Sequence, residues 1–192
     1  MSEERDLAEI VRTAIGNQYR AVLAMLRDAV ERCPDEAWAA EGQGVPFWRV
    51  AYHTLYFTHL YLSTDERSFT AWEKHQTGLQ DLDDIPGPPE LVELLEPPHR
   101  PSRTGEPLTR EEILEYLAFC EGMVDPSIDS LDLMREDTGF SWHNPQRSKI
   151  EHQIVNIRHI QYHVAQLSAR LRAAGVEGVE WVGSRPPEQA DL

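Results

Sequence analysis

The chain has 192 residues, 41% hydrophobic and 27% charged, which gives enough apolar side chains for one packed core inside a polar surface. Its net charge of −15 and pI near 4.9 speak against nucleic acid or an anionic membrane as partner, because both recruit clustered Lys and Arg. Cys33 and Cys120 show neither CxxC nor zinc-ribbon spacing, so reduced, intracellular thiols are expected rather than a disulfide framework.

The N-terminal Met-Ser-Glu-Glu-Arg-Asp lacks the basic start and apolar run of a signal peptide. No uninterrupted apolar stretch approaches the roughly 20 residues of a bilayer span. The expectation is a cytoplasmic protein.

In chain order, a first helix is predicted from about Ser2 to Arg32, with Ser2 as N-cap and Glu3 and Glu4 in the first turn. Leu7, Ile10, Val11, Ala14, Ile15, Val22, Leu26 and Val30 form its apolar stripe, and Cys33-Pro34 ends it. A second helix opens at Pro46 and runs to about Ser63; its density of aromatics predicts burial on more than one side. Residues 64–108 are irregular, with Gly78, Gly87, Gly105 and seven prolines. Short helices are expected there near Phe69–Trp72 and Glu90–Leu95, within a connection that crosses a bundle end or covers a site.

A third helix starts at Thr109, where Thr109 and Glu112 fit a capping box, and Pro126 should kink or interrupt it. After a loop from about Asp137 to Arg147, a fourth helix begins at Ser148, again with a capping partner, Glu151. It ends near Ala174 with Gly175 beyond it. The tail from Ser184 to Leu192 is polar and expected to fray. Four long helices over residues 1–192 predict a single all-α domain, a four-helix bundle with a long crossover connection. Such bundles build metal sites from side chains on facing helices.

His159 and His163 lie four residues apart, hence on one helix face about 6 Å apart, a spacing that lets two imidazoles hold one ion. On the same wheel His152, Asn156, Gln166 and Arg170 fall within roughly 60° of His159, bracketed by Ile157, Ile160, Val164, Leu167 and Leu171 on one edge and by Val155 and Tyr162 on the other. Arg158, Gln161, Ser168 and Arg172 point nearly opposite. A polar stripe between apolar edges needs partners, supplied by a metal, a polar pocket or a wet groove. His53 sits on the apolar face of the second helix among Val50, Tyr56, Phe57 and Leu60. It is either a ligand or a buried imidazole bonded to a carbonyl or carboxylate. Three histidines with an open position describe a catalytic metal site. His59 points elsewhere; His75, His99 and His143 fall in irregular segments; His152 is about 10 Å of helix from His159 and is read as lying at the rim or behind the ligands. GxSxG, GxxxxGKS/T, GxGxxG and HExxH are absent from the sequence.

The segment Pro46-Phe47-Trp48-Arg49-Val50-Ala51-Tyr52-His53-Thr54-Leu55 resembles the second-helix motif of the DinB/YfiT-like metalloenzymes. Asn156 to Leu167, which contains His159 and His163, resembles that family's last-helix motif over about a dozen positions. The resemblance implies a four-helix bundle whose His53, His159 and His163 bind zinc or nickel, with manganese or iron as other candidates. It also implies a homodimer and, in some relatives, thiol-S-transfer with a low-molecular-weight thiol. The resulting expectation is a divalent-metal-dependent enzyme acting on a small molecule, a thiol-S-transferase or a hydrolase. Asn156, Tyr162 and Gln166 are candidates to orient ligand or substrate. The alternatives are a non-catalytic metal-binding stress-response or structural protein, and a relative in which the stripe is merely polar packing.

Overall fold

Apolar residues at three- and four-residue spacing, closed by identifiable caps, set the helix boundaries. The computed structural model describes residues 2–40, 44–82, 105–143 and 145–187, with side chains from Leu7 onward. Over these residues it is all-helical, without a strand. The first helix, α1 (Ser2–Arg32), stops before Pro34, as predicted; the proposed Ser2 cap lies outside the described side chains. A four-residue helix, α2 (Asp35–Trp38), was not expected. It buries Trp38, whose Nε1 donates to the Leu108 carbonyl at 2.9 Å. Helix α3 (Phe47–Leu62) starts after Pro46 and is buried along almost its whole length, as its aromatic content predicts.

Helix α4 (Arg110–Asp129) carries the complete capping box: Thr109 Oγ1 accepts from Glu112 N–H, and Glu112 accepts from Thr109 N–H. The helix runs on through Pro126, so of the expected kink or interruption the interruption does not occur. Pro126 is the fourth residue from the end of the helix, so the backbone bond it forfeits is one of the last.

Helix α5 (Lys149–Ala173) begins with Ser148 Oγ accepting from Glu151 N–H. Beyond its end Gly175 takes φ 79°, Val176 N–H reaches the Leu171 carbonyl and Gly175 N–H the Arg172 carbonyl. Those two bonds form a Schellman cap, which needs a left-handed residue at Gly175. Gly175→Ala is therefore expected to cost roughly 1–2 kcal/mol, read as a lower urea midpoint; an unchanged midpoint contradicts this.

Helices α1 and α3 each pack against both α4 and α5, so the α1–α3 and α4–α5 pairs sit on diagonals. The core runs through all four: Tyr19, Leu23 and Leu26 of α1, Tyr52 and Leu55 of α3, Ile113, Tyr116 and Leu117 of α4, and Ile160 and Leu167 of α5. Leu7 and Ile10, assigned to the apolar stripe, are exposed. At 31 residues α1 is about 46 Å long, well beyond the 20 residues of α4, so its first turns extend past their partner. Both cysteines are free and buried.

Residues 177–187 run back along α1, with Gln18 Nε2 donating to the Gly183 carbonyl at 2.9 Å. Ser168, placed on the outward face from sequence, is buried under this segment and accepts from Val179 N–H. Residues 69–72 are not helical. Glu90–Leu95, His99 and the last five tail residues lie outside the described residues. Among the described residues no helix is long and apolar enough to cross a membrane.

Candidate metal centre

Helix periodicity alone brings His159 and His163 together on α5. The packing of α3 against α5 adds His53. His159 Nε2 lies 3.0 Å from His53 Nε2 and 3.0 Å from His163 Nε2, and ligand atoms of all three fall within 4.8 Å of one another. His53 and His163 are buried; His159 is half-buried, although its Nδ1 is enclosed. Among the described residues this is the group of three or more histidine, cysteine or carboxylate side chains that converges. The Phe57 ring closes one side, 4.7 Å from the His53 ring and 5.7 Å from that of His159, centre to centre.

The far ring nitrogens decide what the near ones can do. His53 Nδ1 is 2.5 Å from the Gln80 backbone oxygen, which can only accept, so Nδ1 carries the proton and Nε2 of the neutral ring is a bare lone pair. His163 Nδ1 donates to Gln166 Oε1 at 2.8 Å, which leaves its Nε2 bare as well. His159 Nε2 holds at most one proton, so it can satisfy one 3.0 Å neighbour and not both. Two or three lone pairs thus face one another, and a cation resolves the conflict. Zinc–imidazole bonds of about 2.0–2.1 Å place neighbouring ligand nitrogens about 3–3.4 Å apart, which the two 3.0 Å separations approach. Neutral imidazoles suit Zn, Cu, Fe and Ni.

Electrostatics also favour neutral rings at His159 and His163. Burial pushes His159 down to about 3, with His163 adding to the effect. Burial likewise lowers His163, opposed by its bond to Gln166 and aided by Arg170. Metal binding needs unprotonated imidazoles, and the lowered His159 and His163 favour that form.

The other sequence candidates divide. Gln166 lies beside the cluster, its Oε1 2.8 Å from His163 Nδ1, and so fixes that ring. Asn156 is fully buried but turns to α1 and α3: its Nδ2 donates to Tyr19 Oη at 2.9 Å and faces the Thr58 carbonyl at 3.5 Å. Tyr162 is 62% exposed, so only its ring edge nears His163, 5.2 Å between centroids. His152, read as a rim residue, is instead fully buried against Tyr61, Phe140 and His143, because two helical turns carry it down into a separate aromatic cluster. His59 is buried against Phe69, Tyr116 and Phe119, away from the three.

Sequence reasoning missed Gln80 and gave Arg49 no role. Arg49 precedes His53 by one turn, and its guanidinium donates to the carbonyls of Gly78, Leu79 and Asp81 at 3.2, 3.2 and 2.8 Å. A buried cation inside an aromatic helix was the available signal.

Fold and site together define an all-helical protein with a buried cluster of three histidines able to hold a metal ion. No family model, no curated protein and no solved structure matches the chain.

Proposed function

We propose that the protein is a divalent-metal-dependent enzyme whose ion is held by His53, His159 and His163. The reading takes the four long helices as a DinB/YfiT-like four-helix bundle with a long crossover, working in the cytoplasm as a homodimer. One observation carries it: His159 Nε2 sits 3.0 Å from two imidazole nitrogens and can share a proton with only one of them. A divalent ion on three imidazoles supplies a Lewis acid that lowers the pKa of a water or thiol in its remaining position. Zinc or nickel fits the donor set best, with manganese and iron as weaker candidates. The chain's own part is to present three bare nitrogens, to fix two rings through Gln80 and Gln166, and to leave the His159 side less covered. The reaction class we favour is thiol-S-transfer or hydrolysis on a small molecule, and the charge of −15 argues against nucleic acid as substrate.

Purified protein reconstituted with Zn²⁺ or Ni²⁺ and freed of excess ion is expected to retain about one ion per chain, and His159→Ala to retain none. Wild-type protein that takes up none of Zn, Ni, Mn or Fe defeats the proposal. The burial of His53 and His163 also favours a second reading, a structural ion in a non-catalytic protein. A large fall in melting temperature on chelation, with no exchangeable position on the bound ion, selects it.

A further inference from the structure

The turn at residues 77–80 has no periodic backbone bonding to fix its carbonyls, yet one of them sets the protonation pattern of His53. Buried backbone acceptors need donors. Here four consecutive carbonyls are taken by two side chains of α3 that stand one helical turn apart. Arg49 takes Gly78, Leu79 and Asp81, and His53 takes Gln80. Two features brace the turn from within: Gly78 adopts φ 94°, and its N–H donates to Gln80 Oε1 at 2.8 Å. The Leu79 side chain is buried in the core.

On the metal-site reading above, we infer that Arg49 is a positioning residue for the centre. It clamps the 78–81 turn so that the Gln80 carbonyl holds His53 as the Nδ1–H tautomer, with Nε2 bare and aimed at His159. Arg49 is buried, and its guanidinium donates to the carbonyls of the turn, so it acts on His53 through the turn. Arginine fits the task because its planar fork offers five donors in fixed directions, whereas lysine offers one rotating head. Released from the turn, the His53 ring is free to protonate at Nε2, the form free histidine favours in water, and that form cannot ligate through Nε2.

The test uses the full chain, Zn²⁺ as the probe, and the variants Arg49→Met, Arg49→Lys and Lys149→Met. Long-range ¹⁵N–¹H spectra of metal-free protein report the His53 tautomer, and competition with a chelator reports zinc affinity. Wild type is expected to show protonated Nδ1 and bare Nε2. Arg49→Met should show a mixed or reversed tautomer and bind zinc about 10- to 100-fold more weakly, the usual cost of losing a partner behind a ligand. Arg49→Lys should fall between, and it carries the test if the methionine variant fails to fold. Lys149→Met, which weakens the fold at the far end of α3, should leave tautomer and affinity at wild-type values. The inference is overturned if the Arg49 variants keep both readouts, or if Lys149→Met loses affinity to the same degree. A wild-type chain that binds no zinc, but whose tautomer still switches on losing Arg49, rejects the metal and retains the clamp.

Discussion

Acidification from pH 7.5 to pH 5 is expected to remove several kcal/mol of folding stability, carried by three buried histidines outside the His53, His159 and His163 cluster. Burial holds His59 and His143 down to about 4 and His152 down to about 2, against 6.5 for the free side chain. For His152 the neighbours His143, Lys149 and Arg147 add to burial, in that order. Because each folded pKa lies below the unfolded one, the unfolded chain binds the extra proton first. The stability is therefore complete above pH 6.5 and drains away as pH falls toward the folded values. At pH 5 each group taken alone accounts for at most about 2 kcal/mol, and because the His143 and His152 rings lie 4.7 Å apart their contributions do not simply add, so the total stays below three times that figure. Relief of the −15 net charge acts in the other direction, but it is spread over a solvated surface and is the smaller effect. Urea midpoints that stay level from pH 7.5 to 5 refute this. His152→Leu isolates one contributor. Among the described residues neither His152 ring nitrogen has a hydrogen-bond partner, so the imidazole gains nothing polar from them for its burial. The leucine variant should match or exceed wild type by up to about 2 kcal/mol at pH 7, and by more at pH 5.

That imidazole also marks the boundary of what sequence reveals. The four long helices were legible because their signals are local: period 3.6, a capping box at Thr109, a hydroxyl cap at Ser148 and a left-handed glycine at 175. The histidine trio was legible for a related reason. His159 and His163 share a face by arithmetic, and His53 was conspicuous on an apolar one. Which polar stripe residues serve the centre was not legible, since His152 and Asn156 lie on the same stripe but meet different neighbours. Tyr61, Phe140 and His143 surround the first, and Tyr19 bonds the second. The exposure of Leu7 and Ile10 depends on the length of α4, which their own spacing does not encode. Gln80 stayed hidden because the shape of an aperiodic turn is set by partners distant in sequence. Arg49, some thirty positions away, is the one that matters there.

Lys149→Met is expected to cost about 3 kcal/mol while leaving zinc affinity intact. Lys149 is the first residue of α5, and its ammonium donates to the carbonyls of Ser63, Thr64 and Thr138 at 3.1, 2.9 and 2.9 Å. Three protons meet three acceptors, so the head group caps the C-terminal end of α3 and ties the 138–143 loop to it. Burial lowers its pKa to about 8, with Arg135 adding to the shift and Asp65 and Asp137 opposing it, so the ammonium persists at neutral pH. Burying a charge is itself unfavourable, and methionine removes that cost. It also leaves the carbonyls of Ser63 and Thr138 enclosed without a donor, each worth about 1–3 kcal/mol, whereas Thr64 is exposed and water can replace its bond. The two enclosed acceptors therefore outweigh the relief. His53 lies ten residues back along α3, about 15 Å from this cap, and is held by its own turn rather than by the helix end. A lower urea midpoint with unchanged zinc binding would separate the scaffold from the site. Loss of both would mean that the ordering of α3 is a single cooperative unit, and that the ligand geometry depends on its far end.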